Sequence, residues 1–104
     1  MKKLTVIFSA FLLLTAFTTM NGFWKNDDPH SQLGFTVTHL GISEISGTFN
    51  DFDVNVKSSK PDFSDAVFEL TANVASIDTH VEARDNHLKS ADFFDVEKYP
   101  TLTF

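Results

Sequence analysis

Apolar residues in this chain recur with two different periods, and the first is the alternation of a β-strand. Leu33, Phe35 and Val37 alternate with glycine or polar residues over positions 32–38, so they share one face of a strand. The same alternation returns further on, at Phe68, Leu70, Ala72 and Val74. Both segments predict antiparallel strands with one buried and one solvated face.

Between these segments the alternation changes phase. Ile45 and Phe49 occupy odd positions, whereas Phe52 and Val54 occupy even ones. A one-residue bulge or a tight bend near Asn50-Asp51 would cause this shift and would bend the sheet.

The second period is helical and begins at Thr79. Thr79 followed by Glu82 fits a capping box, and the segment VEARDNHLKS is rich in helix formers, so a helix of two to three turns is predicted. Residues 91–98 predict a turn. The Tyr99-Pro100 step favours an extended conformation leading into a last strand.

The N-terminus has the pattern of a signal peptide. Lys2 and Lys3 precede an uncharged apolar run from Leu4 to Phe17, which is too short to span a bilayer comfortably. We predict a signal peptide over residues 1–20, with an uncleaved anchor or a buried strand or helix as alternatives. Export would place a chain without cysteine in the periplasm or outside the cell, where it folds without disulfides.

The net charge of the chain limits the kinds of partner that it can bind. The chain carries 8 basic and 14 acidic residues, a net charge of −6, and loses two lysines with its leader. This balance argues against nucleic-acid binding, which depends on clustered Lys and Arg, and against adsorption to anionic lipid. No stable membrane insertion is expected after cleavage.

The predicted strands cannot complete a closed sheet. Four or five antiparallel strands leave both edges unpaired and the apolar face uncovered, whereas a barrel of about eight strands avoids both problems. We therefore expect an N-terminal portion of a longer protein, and a homodimer paired edge to edge is compatible with this. Nine of the 12 phenylalanines follow the predicted leader, and they predict a large aromatic interior, either solid or hollow.

Six short motifs in a fixed order suggest a family. They are Asp28-Pro29-His30-Ser31, His39-Leu40-Gly41-Ile42, Gly47-Thr48-Phe49, Ser76-Ile77-Asp78-Thr79, Arg84-Asp85-Asn86-His87-Leu88, and Ser90-Ala91-Asp92-Phe93-Phe94-Asp95 followed by Tyr99-Pro100. Together they resemble the YceI-like family over residues 24–104. The resemblance implies a mainly β fold: an antiparallel lipocalin-like β-barrel with one short helix, exported, whose pocket holds a polyisoprenoid or another long-chain lipid. The family's later strands are absent from this sequence, so an incomplete barrel is expected.

On this resemblance, the apolar strand faces and the Phe-Phe pair are candidates for the pocket lining. The candidates are Leu33, Phe35, Val37, Phe49, Phe68, Leu70, Val74, Phe93 and Phe94. The alternative is that these side chains fill a solid core, in a structural or stress-related periplasmic interaction protein without a ligand.

Three polar residues are candidates for the rim of such a pocket: His30, His39 and Arg84. Arg binds phosphate and carboxylate groups through its planar fork. Because Arg84 adjoins Asp85, a structural ion pair between the two is the alternative.

No motif indicates catalysis, a cofactor or a metal. The sequence contains no cysteine nucleophile, no G-x-S-x-G elbow and no H-E-x-x-H helix. His80 and His87 would lie about 10 Å apart on a helix, too far to bind one ion together. We therefore predict that the protein is not an enzyme.

Overall fold

The computed structural model describes residues 22–104, and the predicted signal peptide lies outside them. Residues 22–104 form seven strands, one α-helix and two single-turn 3-10 helices, at Asp28–His30 and Val74–Ser76. The strands and the helix, in chain order, are β1 (Gly22–Lys25), β2 (Leu33–His39), β3 (Ser43–Phe49), β4 (Phe52–Ser58), β5 (Val67–Asn73), β6 (Ile77–Asp78), α1 (Glu82–Lys89) and β7 (Thr101–Thr103). The mainly β, antiparallel fold with one short helix is confirmed. No helix within residues 22–104 is long and apolar enough to cross a bilayer.

The strands divide into two antiparallel sheets and do not form one closed barrel within residues 22–104. One sheet has the order β1-β4-β5-β7 and the other the order β2-β3-β6. The predicted phase change at Asn50-Asp51 is where the chain passes from the second sheet to the first. The backbone N–H groups of this bend donate to the Ser76 carbonyl (3.1 Å) and hydroxyl (3.0 Å), so the bend is held by hydrogen bonds.

Each sheet has one apolar and one polar face. In the β2-β3 hairpin, Phe35 lies opposite Gly47 and Val37 opposite Ile45, on one face, while Thr36 pairs with Ser46 on the other. The apolar faces of the two sheets meet at a small core of four buried side chains: Phe49, Ala72, Val74 and Ile77. Helix α1 and the turn after it pack beside this core through Leu88, Phe94 and Val96.

The start of α1 differs from the sequence prediction. The N-cap is Val81, without a side-chain hydrogen bond to the first turn, so the capping box of Thr79 and Glu82 is wrong. His80 adopts a positive φ of 65°, which separates Thr79 from the helix. The Thr79 hydroxyl and backbone N–H both donate to the Asp85 carboxylate instead. Hydrogen bonds to a charged acceptor are stronger than a cap between neutral groups.

Candidate functional site

An apolar cavity of about 560 Å³ lies between the β2-β3 hairpin, α1 and the turn after α1. Its volume is within the range of small-molecule pockets. The lining residues are Phe35, Val37, His39, Ile45, Thr79, Arg84, His87, Leu88, Phe93 and Phe94. Aromatic and aliphatic groups form most of the wall, and the polar groups come from two histidines, a threonine and an arginine.

The hairpin supplies the flat wall of the cavity. Val37 of β2 is paired with Ile45 of β3. Phe35 and His39 lie on the same face of β2, two residues before and two residues after Val37. Val37 remains half exposed. This strand face therefore presents apolar surface that no other part of residues 22–104 covers completely.

The opposite wall is formed by α1 and the turn that follows it. Arg84 and Leu88 are one helical turn apart and share a face, because residues at i and i+4 are neighbours on a helix. Phe94 N–H donates to the Leu88 carbonyl at 3.0 Å and Phe93 N–H to the Ser90 carbonyl at 3.1 Å. These bonds at the helix C-terminus fix both phenylalanines against the cavity.

Phe49, a core residue, packs against two rings of the cavity wall. Its ring centroid lies 5.7 Å from that of Phe35 and 5.9 Å from that of Phe94, and both neighbours line the cavity. Such tilted and edge-on contacts are the favoured geometry of aromatic pairs. The cavity is thus continuous with the core through one buried ring.

Arg84 is held in the wall by Thr79. Its Nε–H donates to the Thr79 hydroxyl oxygen at 2.7 Å and its Nη2 to the Thr79 carbonyl at 2.6 Å. The alternative role, a direct ion pair of Arg84 with Asp85, is not formed: the two residues are connected through the Thr79 hydroxyl, which donates to Asp85 Oδ1 at 2.5 Å. The Arg84 Nη1 group makes no hydrogen bond within residues 22–104.

This network also sets the charge of the site. The Thr79 hydroxyl is the main cause that holds the pKa of the Asp85 carboxyl below its usual value, against the opposing effect of desolvation. Asp85 is therefore ionised at neutral pH and orients Thr79, which in turn orients the guanidinium. His87 contributes a second polar position, with Nε2 3.1 Å from an Asp92 carboxylate oxygen.

The structure brings together six of the predicted site residues: Phe35, Val37, Phe93, Phe94, His39 and Arg84. The remaining apolar candidates lie elsewhere. Phe49 and Val74 belong to the core, and Leu33 and Leu70 pack against it. Phe68 is more than half exposed, on the face of β5 shared with Leu70. His30 is exposed, with Nδ1 2.8 Å from Asp27 Oδ2.

The sequence prediction omitted four lining residues: Ile45, Thr79, His87 and Leu88. Ile45 follows from the hairpin register, since a turn at Leu40-Gly41 places it opposite Val37. Arg84, His87 and Leu88 share a helical face, which a helical projection of the sequence identifies. No local signal marks Thr79, because its role depends on tertiary contacts. No group of three metal-binding side chains is present within residues 22–104.

Gly47 determines how closely the Phe35 ring approaches the sheet. A Cβ atom at position 47 would lie 2.6 Å from Phe35 Cζ and 2.9 Å from Thr79 Cγ2, whereas at Gly34 the nearest atom would be 3.5 Å away. Because Thr79 is held by four hydrogen bonds to Arg84 and Asp85, the Phe35 ring is the group that must move, toward the cavity.

Gly47→Ala is expected to lower the free energy of unfolding by about 1–3 kcal/mol, the usual cost of overpacking. Gly34→Ala, on the opposite face of the same hairpin, should be neutral or stabilising by up to about 1 kcal/mol, because alanine loses less entropy in a strand. Urea denaturation of both variants measures the difference. Equal effects of the two substitutions would contradict this account of Gly47.

Comparison with known proteins supports the interpretation of the fold. The family model described as the YceI-like domain matches residues 24–104. A UPF0312 protein of Photorhabdus laumondii is 37% identical over 99% of this chain and 55% of its own length. A UPF0312 protein of Staphylococcus aureus is 45% identical over 75% of this chain and 46% of its own.

Solved structures of similar proteins also support the interpretation of the fold. The Campylobacter jejuni YceI protein superposes with a TM-score of 0.54 and 36% identity, over 76% of this chain and 46% of that chain. A mutant form of a YceI protein gives a TM-score of 0.55, also with 36% identity, over the same shares of the two chains. The chain spans about half the length of the curated relatives it matches. The identity of these relatives and the match over residues 24–104 show that the chain belongs to the YceI-like family.

Proposed function

We propose that this chain is part of an exported protein that sequesters or carries a long-chain polyisoprenoid or a similar amphiphile. The observation that carries the proposal is the apolar cavity between the hairpin and α1, with Arg84 fixed in its wall. An isoprenoid tail gains dispersion contacts and loses water-exposed apolar surface against Phe35, Val37 and Ile45. The family assignment and the leader-like N-terminus support the periplasm or the cell exterior as its location.

Arg84 and its neighbours provide a position for a polar head group. The guanidinium is oriented by Thr79 and retains an Nη1 group that has no partner within residues 22–104. Arginine binds phosphate and carboxylate oxygens through charge-assisted hydrogen bonds. His39 and His87 line the same cavity and add imidazole nitrogens that can form hydrogen bonds. A ligand with an apolar chain and an oxygen-rich head group matches both parts of the wall.

Organic-solvent extraction of the purified full chain, followed by mass spectrometry, tests the proposal. We expect an isoprenoid or another long-chain amphiphile in stoichiometric amount, and saturable uptake of a soluble fluorescent polyprenyl probe by the delipidated protein. Recovery of no lipid together with no uptake of the probe would refute it. That result would favour the alternative of an interaction protein with a filled interior.

A further inference from the structure

The turn between β2 and β3 has an unusual residue in a strained conformation. Leu40 and Gly41 adopt φ angles of 53° and 69°, and Ile42 N–H donates to the His39 carbonyl at 3.2 Å. Positive φ at both central positions is the geometry of a type I′ hairpin turn, which favours Asn, Asp or Gly at the first of them. Leucine carries a steric penalty there that those residues avoid.

Packing does not explain this leucine. Leu40 is 82% exposed and Ile42 is 92% exposed. Both side chains therefore extend from the end of the hairpin without joining the core of residues 22–104. A strained, exposed aliphatic residue suggests a contact with a surface outside residues 22–104.

Charged residues are scarce in this part of the molecule. Charged residues make up 21% of the whole chain, yet Glu44 is the single Asp, Glu, Lys or Arg between positions 29 and 50. Glu44 pairs with Thr38, on the polar face of the hairpin, away from the cavity. The hairpin tip, defined as residues 39–43, thus holds two large aliphatic groups and no ionised carboxylate, ammonium or guanidinium.

The hairpin tip adjoins the cavity. His39, the first residue of the tip, lines the cavity, as do Val37 and Ile45 on the two strands directly beneath it. One end of the apolar cavity wall is therefore continuous with the exposed aliphatic side chains of the turn.

We propose that the hairpin tip inserts into the interfacial region of a neutral lipid bilayer. Leu40 and Ile42 would be buried among acyl chains without desolvating a charge, which makes insertion favourable. A fluid bilayer accommodates two protruding side chains, whereas a protein partner needs a matching groove. The net charge of −6 opposes approach to anionic lipid, so the surface is zwitterionic and hydrophobic insertion dominates.

Insertion at this place would bring the cavity wall to the bilayer surface. An apolar chain could then leave the lipid along Val37 and Ile45 without crossing water, where each exposed methylene is unfavourable. The docking itself rests on Leu40 and Ile42 and not on the presence of a ligand, so it is testable apart from the proposed function.

Flotation of the full chain with zwitterionic phosphatidylcholine vesicles is the test. We expect the double variant Leu40→Asn and Ile42→Thr to lose at least about tenfold in vesicle partitioning. Partitioning of the wild type should change by less than about twofold between low and high salt. Val67→Thr is the control, since Val67 is 55% exposed but lies in β5 of the other sheet, and it should partition as the wild type does.

The single variant Leu40→Asn distinguishes an effect on stability from an effect on vesicle binding. Asparagine favours the conformation of the turn, so this variant should unfold at an equal or higher temperature while it binds vesicles less. Absence of wild-type flotation, equal flotation of the double variant, or binding that requires anionic lipid would overturn the proposal. So would a tip-dependent change of oligomeric state in place of vesicle binding, since a second copy would then cover the tip.

Uptake of the soluble polyprenyl probe, measured without vesicles on the same proteins, distinguishes this proposal from the proposed function. The tip variants should take up the probe as the wild type does. Absence of probe uptake by the wild type, together with recovery of no lipid, would refute the lipid-carrier function and leave the vesicle result to decide the docking.

Discussion

Thr79→Val is expected to lower the free energy of unfolding by about 2–4 kcal/mol, although it exchanges a hydroxyl for a methyl group of similar volume. Thr79 is 2% exposed, and its hydroxyl donates to Asp85 and accepts from Arg84. Valine leaves a carboxylate oxygen and a guanidinium N–H without that partner in a part-buried site. Loss of a hydrogen bond to a charged group, added to the desolvation of the groups left behind, gives this magnitude.

The effect of Thr79→Val should depend on pH in a defined direction. The Thr79 hydroxyl lowers the pKa of Asp85 in the folded state below its ordinary value of 3.8. A group with a lowered pKa contributes stability above its unfolded pKa and loses it as the pH falls. The difference in free energy of unfolding between wild type and variant therefore has its full value near neutral pH. It decreases as the pH falls below 3.8.

Urea denaturation at neutral and at acidic pH measures both effects. Thr71→Val is the matched control, because Thr71 is exposed on the polar face of β5 and should change the free energy of unfolding by less than about 0.5 kcal/mol. Equal destabilisation by the two substitutions, or a difference that persists unchanged at low pH, would contradict the role assigned to the Thr79 hydroxyl.

The strands could be predicted because their signal is local. In β2 and β5 the alternation of apolar and polar residues follows directly from the pleat of a strand. The structure confirms both strands, although β5 ends at Asn73 and Val74 begins a 3-10 helix. Helix α1 likewise follows from the composition of its segment. The six motifs also predicted the family, because their common order and spacing are more specific than any one motif alone.

Long-range arrangements could not be predicted. The phase change at Asn50-Asp51 predicts a bend, but a passage from one sheet to another depends on hydrogen bonds with Ser76, 25 residues away for Asp51. The capping box failed for the same reason. Thr79 bonds to the charged Asp85 inside the fold, and this contact overrides the local capping preference.

The candidate site was predicted only in part. The sequence pattern shows which side chains share a face of a strand, but it does not show what that face packs against. Phe68 and Val37 both belong to alternating apolar faces, but only Val37 lies opposite a helix that encloses a cavity with it. Which apolar face becomes core, cavity wall or exposed surface depends on how the two sheets meet at Phe49 and Ala72. That contact joins residues far apart in sequence.

Val37→Asp is expected to weaken binding of an apolar chain at least about 100-fold, because the new carboxylate would have to lose water against the ligand. Val37 lines the cavity and is 51% exposed without a ligand, so the substitution should leave the fold intact. Titration of the delipidated protein with the soluble polyprenyl probe measures the loss, and a thermal unfolding curve checks the fold.

Thr36→Asp adds the same charge one residue earlier on β2. Thr36 pairs with Ser46 on the polar face of the hairpin, so its carboxylate would remain in water and affinity should change by less than about twofold. The two variants share net charge, strand and neighbouring sequence, and they differ in the face that carries the carboxylate. Equal affinities for the probe would mean that the cavity between the hairpin and α1 is not where the apolar chain binds.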